Sequence, residues 1–123
     1  MIDILVVDDD EVAATVAVEQ LEEVGYRAAA QHGPFGTLNR VKQEQPRLVV
    51  LDVNMPGIPG PELASLLKEM KQAWPVRILL HSSETQERLA EIASRSAVDG
   101  WVTKSAGREA LIEKVREMLR SDS

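Results

Sequence analysis

Three aspartates, a serine and a lysine are the residues of this chain that could act together chemically. Asp52 follows the apolar run Leu48-Val49-Val50-Leu51, and the acid pair Asp8-Asp9 follows a second run, Ile4-Leu5-Val6-Val7. Short runs of branched apolar residues read as strands buried on both faces, and in an open parallel sheet the carboxyl ends of such strands line the ligand crevice. Three carboxylates then share one rim. The run Ile78-Leu79-Leu80-His81 delivers Ser82 to that rim, and Gly100-Trp101-Val102-Thr103 delivers Lys104. Carboxylates gathered in this way are hard oxygen donors of the kind a divalent cation takes, and a lysine beside them is a compact point charge for an anionic oxygen. Taken singly each residue has a plainer reading: Ser82 a helix N-cap, Lys104 a solvated surface cation, a strand-end aspartate a turn or cap residue. The ordered set is far more specific than any member of it.

The elements that must position these groups alternate along the chain. Val12, Ala13, Val16, Ala17, Leu21 and Val24 recur with helical period after Asp10, which reads as the N-cap, and Gly25 stops the helix. Tyr26 to Ala30 is a weak, alanine-rich strand. Gly33-Pro34 precedes a helix near Phe35 to Glu44, closed by Pro46. A strand from Arg47 to Leu51 delivers Asp52. Pro61 suits the first turn of a third helix, with Leu63, Leu66, Leu67 and Met70 as its buried face. The next strand spans Val76 to His81, and a helix from about Glu84 to Ser94 turns Leu89, Ile92 and Ala93 inward. Trp101 to Thr103 is the last strand. A helix from about Arg108 to Leu119 carries Leu111, Ile112, Val115, Met118 and Leu119 on one face. Five strands alternating with five helices imply an α/β fold with parallel crossovers and a sheet covered on both sides.

Composition narrows the class. A length of 123 residues suits one domain with a single core, residues 1–123, structured over about 1–119 with a polar tail at 120–123. Fourteen basic against twenty acidic residues, a net charge of −6, argue against direct nucleic-acid binding. No cysteine means no disulfide framework and no thiolate site. The start Met1-Ile2-Asp3-Ile4 has no basic leader, and no apolar run approaches the roughly 18 residues of a membrane span, so a soluble, cytoplasmic protein without membrane insertion is expected. A stand-alone protein and a domain of a longer one fit equally well.

The acid pair, lone aspartate, hydroxyl and lysine, in that order and over nearly the whole length, resemble the receiver domain of two-component response regulators, with a chemotaxis-receiver-like pattern. The resemblance implies a flavodoxin-like (βα)5 three-layer sandwich with strand order 2-1-3-4-5. It implies that Asp52 is the phosphoacceptor, that Asp8 and Asp9 with Asp52 and the Asn54 backbone carbonyl hold Mg²⁺ or Mn²⁺, that Ser82 is the switch hydroxyl, and that Lys104 contacts the phosphoryl group. It also implies a rotamer switch at Trp101 and tuning of dephosphorylation by Asn54 and Glu84. The implied function is a signalling switch phosphorylated by a sensor histidine kinase or histidine phosphotransfer protein. Such a switch is not an enzyme beyond catalysing its own phosphorylation and dephosphorylation. Its effector would bind the surface of the helix over 84–94, the strand over 101–103 and the helix over 108–119, with homodimerisation on phosphorylation as a further expectation.

Two departures stand out. Proline commonly follows the lysine in this family, often after a cis bond, and here Ser105 does; Ser83 stands where alanine commonly follows the switch hydroxyl, and strand register favours Ser82 over Ser83. His81 reads as a hydrogen-bonded packing residue, and His32 as a loop residue without a role. The rival reading is a receiver-shaped interaction module working independently of phosphorylation. A dehalogenase-type hydrolase would need an acid two residues after the nucleophile, where Asn54 stands, and neither Gly33-Pro34-Phe35-Gly36 nor Gly57-Ile58-Pro59-Gly60 has nucleotide-loop spacing.

Overall fold

Every residue of β1 (Ile4–Val7) and β3 (Leu48–Leu51) is buried, because their side chains alternate between two separate cores. In the computed structural model, which describes residues 1–70 and 75–120, the other elements are α1 (Glu11–Glu23), β2 (Ala28–Gln31), α2 (Thr37–Glu44), α3 (Gly60–Glu69), β4 (Arg77–Ser82), α4 (Gln86–Ser94), β5 (Gly100–Thr103), a 3-10 turn (Lys104–Ala106) and α5 (Arg108–Arg120). One core joins Leu5, Val7, Val49, Leu51, Ile78 and Leu80 of the sheet to Val41 of α2, Leu63 and Leu67 of α3, and Leu89 of α4. The other joins Ile4, Val6, Leu48, Val50, Leu79 and Val102 to Ala14, Ala17 and Leu21 of α1 and to Leu111, Val115 and Met118 of α5. This is the expected three-layer flavodoxin-like sandwich, and all strand pairs are parallel in the order β2-β1-β3-β4-β5. Among the described residues no helix is long and apolar enough to cross a membrane.

Several element boundaries differ from the sequence expectation, each for a local reason. The second strand begins at Ala28, not Tyr26, because the Tyr26 N–H still bonds the Leu21 carbonyl at the end of α1, and the ladder opens with Ile4 against Ala28. Helix α2 begins at Thr37, since Gly36 at φ +88° breaks the helical path and leaves Phe35 in the loop. Strand β4 extends through Ser82, which pairs with Thr103. Helix α4 begins at Gln86, capped by the Thr85 hydroxyl accepting from the Arg88 N–H, so Glu84 lies before the helix. Arg120, assigned to the tail, ends α5; residues 121–123 lie outside the described residues.

Two helix faces also differ from the expectation. Small Ala14 and Ala17 face the sheet with Leu21, which turns Val12 and Val16 to solvent, at 73% and 45% exposure. In α3 the buried stripe is Leu63, Ala64 and Leu67, while Leu66 is exposed. The α5 face is as expected.

A close approach after β3 holds Asp52 in place. The Gly60 N–H donates to the Val53 carbonyl (3.0 Å), closing the loop that follows the aspartate. A Cβ on Gly60 would run into the carbonyl oxygen of Asp52 and press on Val53 Cα. Gly60→Ala is therefore expected to lower stability by about 1–3 kcal/mol, the usual cost of overpacking. Urea unfolding checks this, and an unchanged midpoint would mean that the loop yields without strain.

Candidate functional site

Strand register brings the carboxylates together. Val7 pairs with Leu51, so Asp8 and Asp52, the next residues of adjacent strands, leave the sheet side by side. Asp9 joins them, and one oxygen from each of the three carboxylates lies within 4.8 Å of the others. Asp8 and Asp52 are buried, at 4% and 8% exposure, whereas Asp9 is exposed. Asp10 takes no part: its Oδ1 accepts from the Val12 and Ala13 N–H groups and caps α1, as expected from its position. That cap also turns the Asp10 N–H onto Asp8 Oδ1 (2.9 Å) and fixes the Asp8 carboxylate.

Lys104 reaches this cluster from the 3-10 turn. Its ammonium donates to Asp8 Oδ2 at 2.6 Å and lies 3.9 Å from Asp52 Oδ1. The resting lysine thus belongs mainly to Asp8. Among the described residues every peptide bond is trans, including Lys104–Ser105. Asp52 Oδ1 also accepts from the Val53 N–H (2.9 Å), and Oδ2 accepts no hydrogen bond from the described residues.

Ser82 is fully buried at the end of β4, and its hydroxyl accepts from the Glu84 N–H (3.2 Å). Asn54 Nδ2 donates to Glu84 Oε2 (3.1 Å), so the loop after Asp52 and the segment after β4 are bonded to one another. Trp101 is half-buried against the core that contains Leu89, and it lines a groove with Ala90, Ala93 and Val98. The hydrogen bond expected for His81 is not formed: its side chain has no partner among the described residues and lines a cleft of about 260 Å³ between α1 and α5. His32 lies 3.5 Å from Glu11 at the surface.

Sequence reasoning passed over Thr103 and Asp99. Thr103 is a buried polar residue between Ser82 and Lys104, and the Ser105 hydroxyl lies 3.3 Å from its own. Its place beside Ser82 in the ladder was the available signal. Asp99 Oδ2 accepts from Lys68 Nζ and from the Ile78 N–H, both at 2.8 Å, tying the end of α3 to the start of β4. No sequence spacing links residues 31 positions apart.

Burial pushes the Asp52 carboxyl up to about 6; Lys104 pulls it down, Asp8 raises it, the Val53 N–H lowers it, and Asp9 raises it. Desolvation is the larger effect because the single ammonium is spent mostly on Asp8. Burial, with Lys104 next, lowers His81 to about 4, so its imidazole is neutral at neutral pH. The three oxygen donors, two of them buried and all mutually repelling, fit a hard divalent cation.

The response regulator receiver domain family matches residues 4–116. The alkaline phosphatase synthesis transcriptional regulatory protein PhoP of Bacillus subtilis is 29% identical over 117 residues, covering 95% of this chain and 48% of its own length. Response regulator MprA of Mycobacterium avium is 29% identical over 117 residues, covering 95% and 50%. The chain therefore spans about half the length of these curated relatives. Among solved structures, chemotaxis response regulator CheY4 of Vibrio cholerae superimposes with a TM-score of 0.84 at 22% identity, over 96% of this chain and 98% of that one, a likeness of fold.

The raised Asp52 pKa has a stability consequence with a definite sign. The folded chain holds this proton to about pH 6 and the unfolded chain only to about 3.8, so stability falls as pH rises from 4 through 6. The full effect is about 3 kcal/mol at neutral pH without divalent cations. His81 acts oppositely, adding stability above its ordinary 6.5 that is lost as pH falls toward 4. Comparing Asp52→Asn with the parent cancels that contribution. In chelator-containing buffer the variant is expected to be the more stable protein at pH 7, with the gap closing toward pH 4. Equal urea midpoints at pH 7 would contradict this.

Proposed function

We propose, since this chain belongs to the response regulator receiver domain family, that it is a signalling switch in a two-component system, set by phosphorylation of Asp52. The observation that carries the reading is the convergence of Asp8, Asp9, Asp52 and Lys104 at one end of the sheet. The 123 residues act as one receiver domain in the cytoplasm. The phosphodonor is a phosphohistidine on a sensor kinase or phosphotransfer protein: the bond from its nitrogen to phosphorus breaks, and one from an Asp52 carboxylate oxygen to phosphorus forms. Beyond this self-modification and its hydrolysis no enzymatic activity is assigned.

Phosphoryl transfer passes through a loose transition state whose spread charge must be met by cations and positioned donors. Mg²⁺ or Mn²⁺, held by Asp8, Asp9, Asp52 and the Asn54 backbone carbonyl, would supply the positive charge that three carboxylates otherwise deny an incoming phosphoryl group. The chain's own residues do the rest. Asp52 supplies the nucleophilic oxygen, and Lys104 meets a phosphoryl oxygen. Ser82 moves its hydroxyl onto another, giving up the Glu84 N–H. The exposed Val12 and Val16 on α1 give the donor protein an apolar foothold beside the site.

Ser82 and half-buried Trp101 lie on the adjoining strands β4 and β5, so movement of one repacks the other's surroundings. The groove along Ala90, Ala93, Val98 and Trp101 is part of the α4–β5–α5 surface that an effector, or a second phosphorylated copy, reads. A phosphorylation-independent interaction module would make no use of these convergent groups and is not favoured.

Incubation with acetyl phosphate and Mg²⁺ is expected to add one phosphoryl group by mass, with none added in chelator or to Asp52→Asn. Undiminished labelling of the variant would refute the assignment. Asn54 and Glu84 are polar, their side chains bond one another beside the loop that follows Asp52, and either can hydrogen-bond an attacking water, a reading under which the acyl phosphate is short-lived. Asn54→Met is expected to lengthen its lifetime by about tenfold, about 1.4 kcal/mol in the hydrolysis barrier. Unchanged decay after donor removal would show that these side chains do not govern the water.

A further inference from the structure

We propose that the cleft between α1 and α5 is a binding site for a small organic carboxylate, with Arg108, His81 and Gln20 holding the carboxylate and Val16, Ala17 and Leu111 the hydrocarbon behind it. The site makes no use of Asp52 and does not depend on its phosphorylation. His81 shares the sheet face of Leu79, two residues earlier, and pairs with Val102, so strand register puts an imidazole where its neighbours on that face are apolar. The ring lines the cleft of about 260 Å³, as does the half-buried Gln20 amide, and neither has a hydrogen-bond partner among the described residues. Arg108, on α5, adds a third such group: its Nε is buried and donates no hydrogen bond. Nη1 is 2.8 Å from Glu23 Oε2, and Nε is 3.7 Å from Glu109 Oε1, too far for a hydrogen bond. Polar groups withdrawn from water are normally paired, so three unpaired ones around a single opening mark a place for a ligand that accepts hydrogen bonds.

Charge and lining set the class of that ligand. Among the described residues no acid lines the cleft, in a chain of twenty acidic against fourteen basic residues. Lys104 lines it too, but its ammonium is committed to Asp8 at 2.6 Å, so the Arg108 guanidinium is the available cation. With Nη1 turned to Glu23, the Nε–Nη2 edge remains, and this edge matches the two oxygens of a carboxylate. Glu23 and Glu109 are exposed, at 58% and 89%, so water and salt screen their repulsion of an anion. His81 is neutral at neutral pH and adds one N–H donor, and the Gln20 amide adds two. The rest of the lining is largely apolar: Ala17 and Leu111 are buried, and Val16 is half-exposed beside them. Inorganic phosphate has no hydrocarbon to lay on such a floor, and water gains nothing from it. The volume lies just under the roughly 300–1,000 Å³ usual for drug-sized ligands, so the occupant is small.

The test is a titration of the ¹⁵N-labelled 123-residue chain with sodium benzoate, at constant ionic strength and in chelator, followed by backbone amide NMR shifts. Benzoate is expected to give saturable shifts confined to α1, the end of β4 and the start of α5. Benzamide, its uncharged analogue, is expected to bind about tenfold more weakly, equivalent to about 1.4 kcal/mol. Arg108→Gln should weaken benzoate by a similar factor, with circular dichroism confirming that the variant is folded. A folded Arg108→Gln that binds benzoate as the parent does, or benzamide binding as tightly as benzoate, would refute the carboxylate site. Shifts that stay linear in benzoate would mean that the cleft holds only solvent, and the same shifts from inorganic phosphate at equal concentration would mean that it attracts any small anion; either result overturns the proposal.

Discussion

One ammonium faces three carboxylates at the end of a sheet that leaves little room for water, and the rest of the structure is arranged around that imbalance. Lys104 satisfies Asp8 and only partly relieves Asp52, whose burial then raises its pKa to about 6. Such a cluster persists only if the backbone holding it is well determined. The β1–β3 register sets Asp8 beside Asp52, the α1 cap orients Asp8, and the approach of Gly60 to the Asp52 carbonyl leaves that residue little freedom. Two buried cores, one on each face of the sheet, supply the rigidity behind it.

The strands and the rim were legible in the sequence because a strand buried on both faces must be apolar throughout, and its first polar residue marks where it leaves the sheet. Asp8, after β1, and Asp52, after β3, are such residues. Helix faces were less legible. In α1 the apolar positions are numerous enough to suggest more than one stripe, and the alanines, which permit the closest approach to the sheet, decided which was buried. The same ambiguity sent Leu66 of α3 to solvent. The starts of α2 and α4 depended on Gly36 and Thr85, local backbone and capping choices that periodicity does not register.

Contacts within the site lay deeper still. The sequence places Lys104 near the carboxylates but carries no sign of which one it prefers, because that depends on the rotamers of a long side chain and on the Lys104–Ala106 turn. The Asn54–Glu84 hydrogen bond and the Asp99 tie likewise join residues far apart in the chain. The first of these contacts connects Asp52 to its surroundings: Asn54 and Glu84 bond across the segments that follow β3 and β4, and Ser82 lies next to them at the end of β4. Under the proposed function, a charge arriving at Asp52 would act on groups already in mutual contact and so would bear on the α4–β5–α5 surface.

The most direct test of the account is the location of the phosphoryl group. Borohydride reduces an acyl phosphate to an alcohol, so treatment of the freshly phosphorylated chain converts the modified aspartate to homoserine, which peptide mass spectrometry locates. Homoserine is expected at position 52 alone. Homoserine at position 8 or 9, or a phosphoryl group that withstands reduction and maps to Ser82, would contradict it.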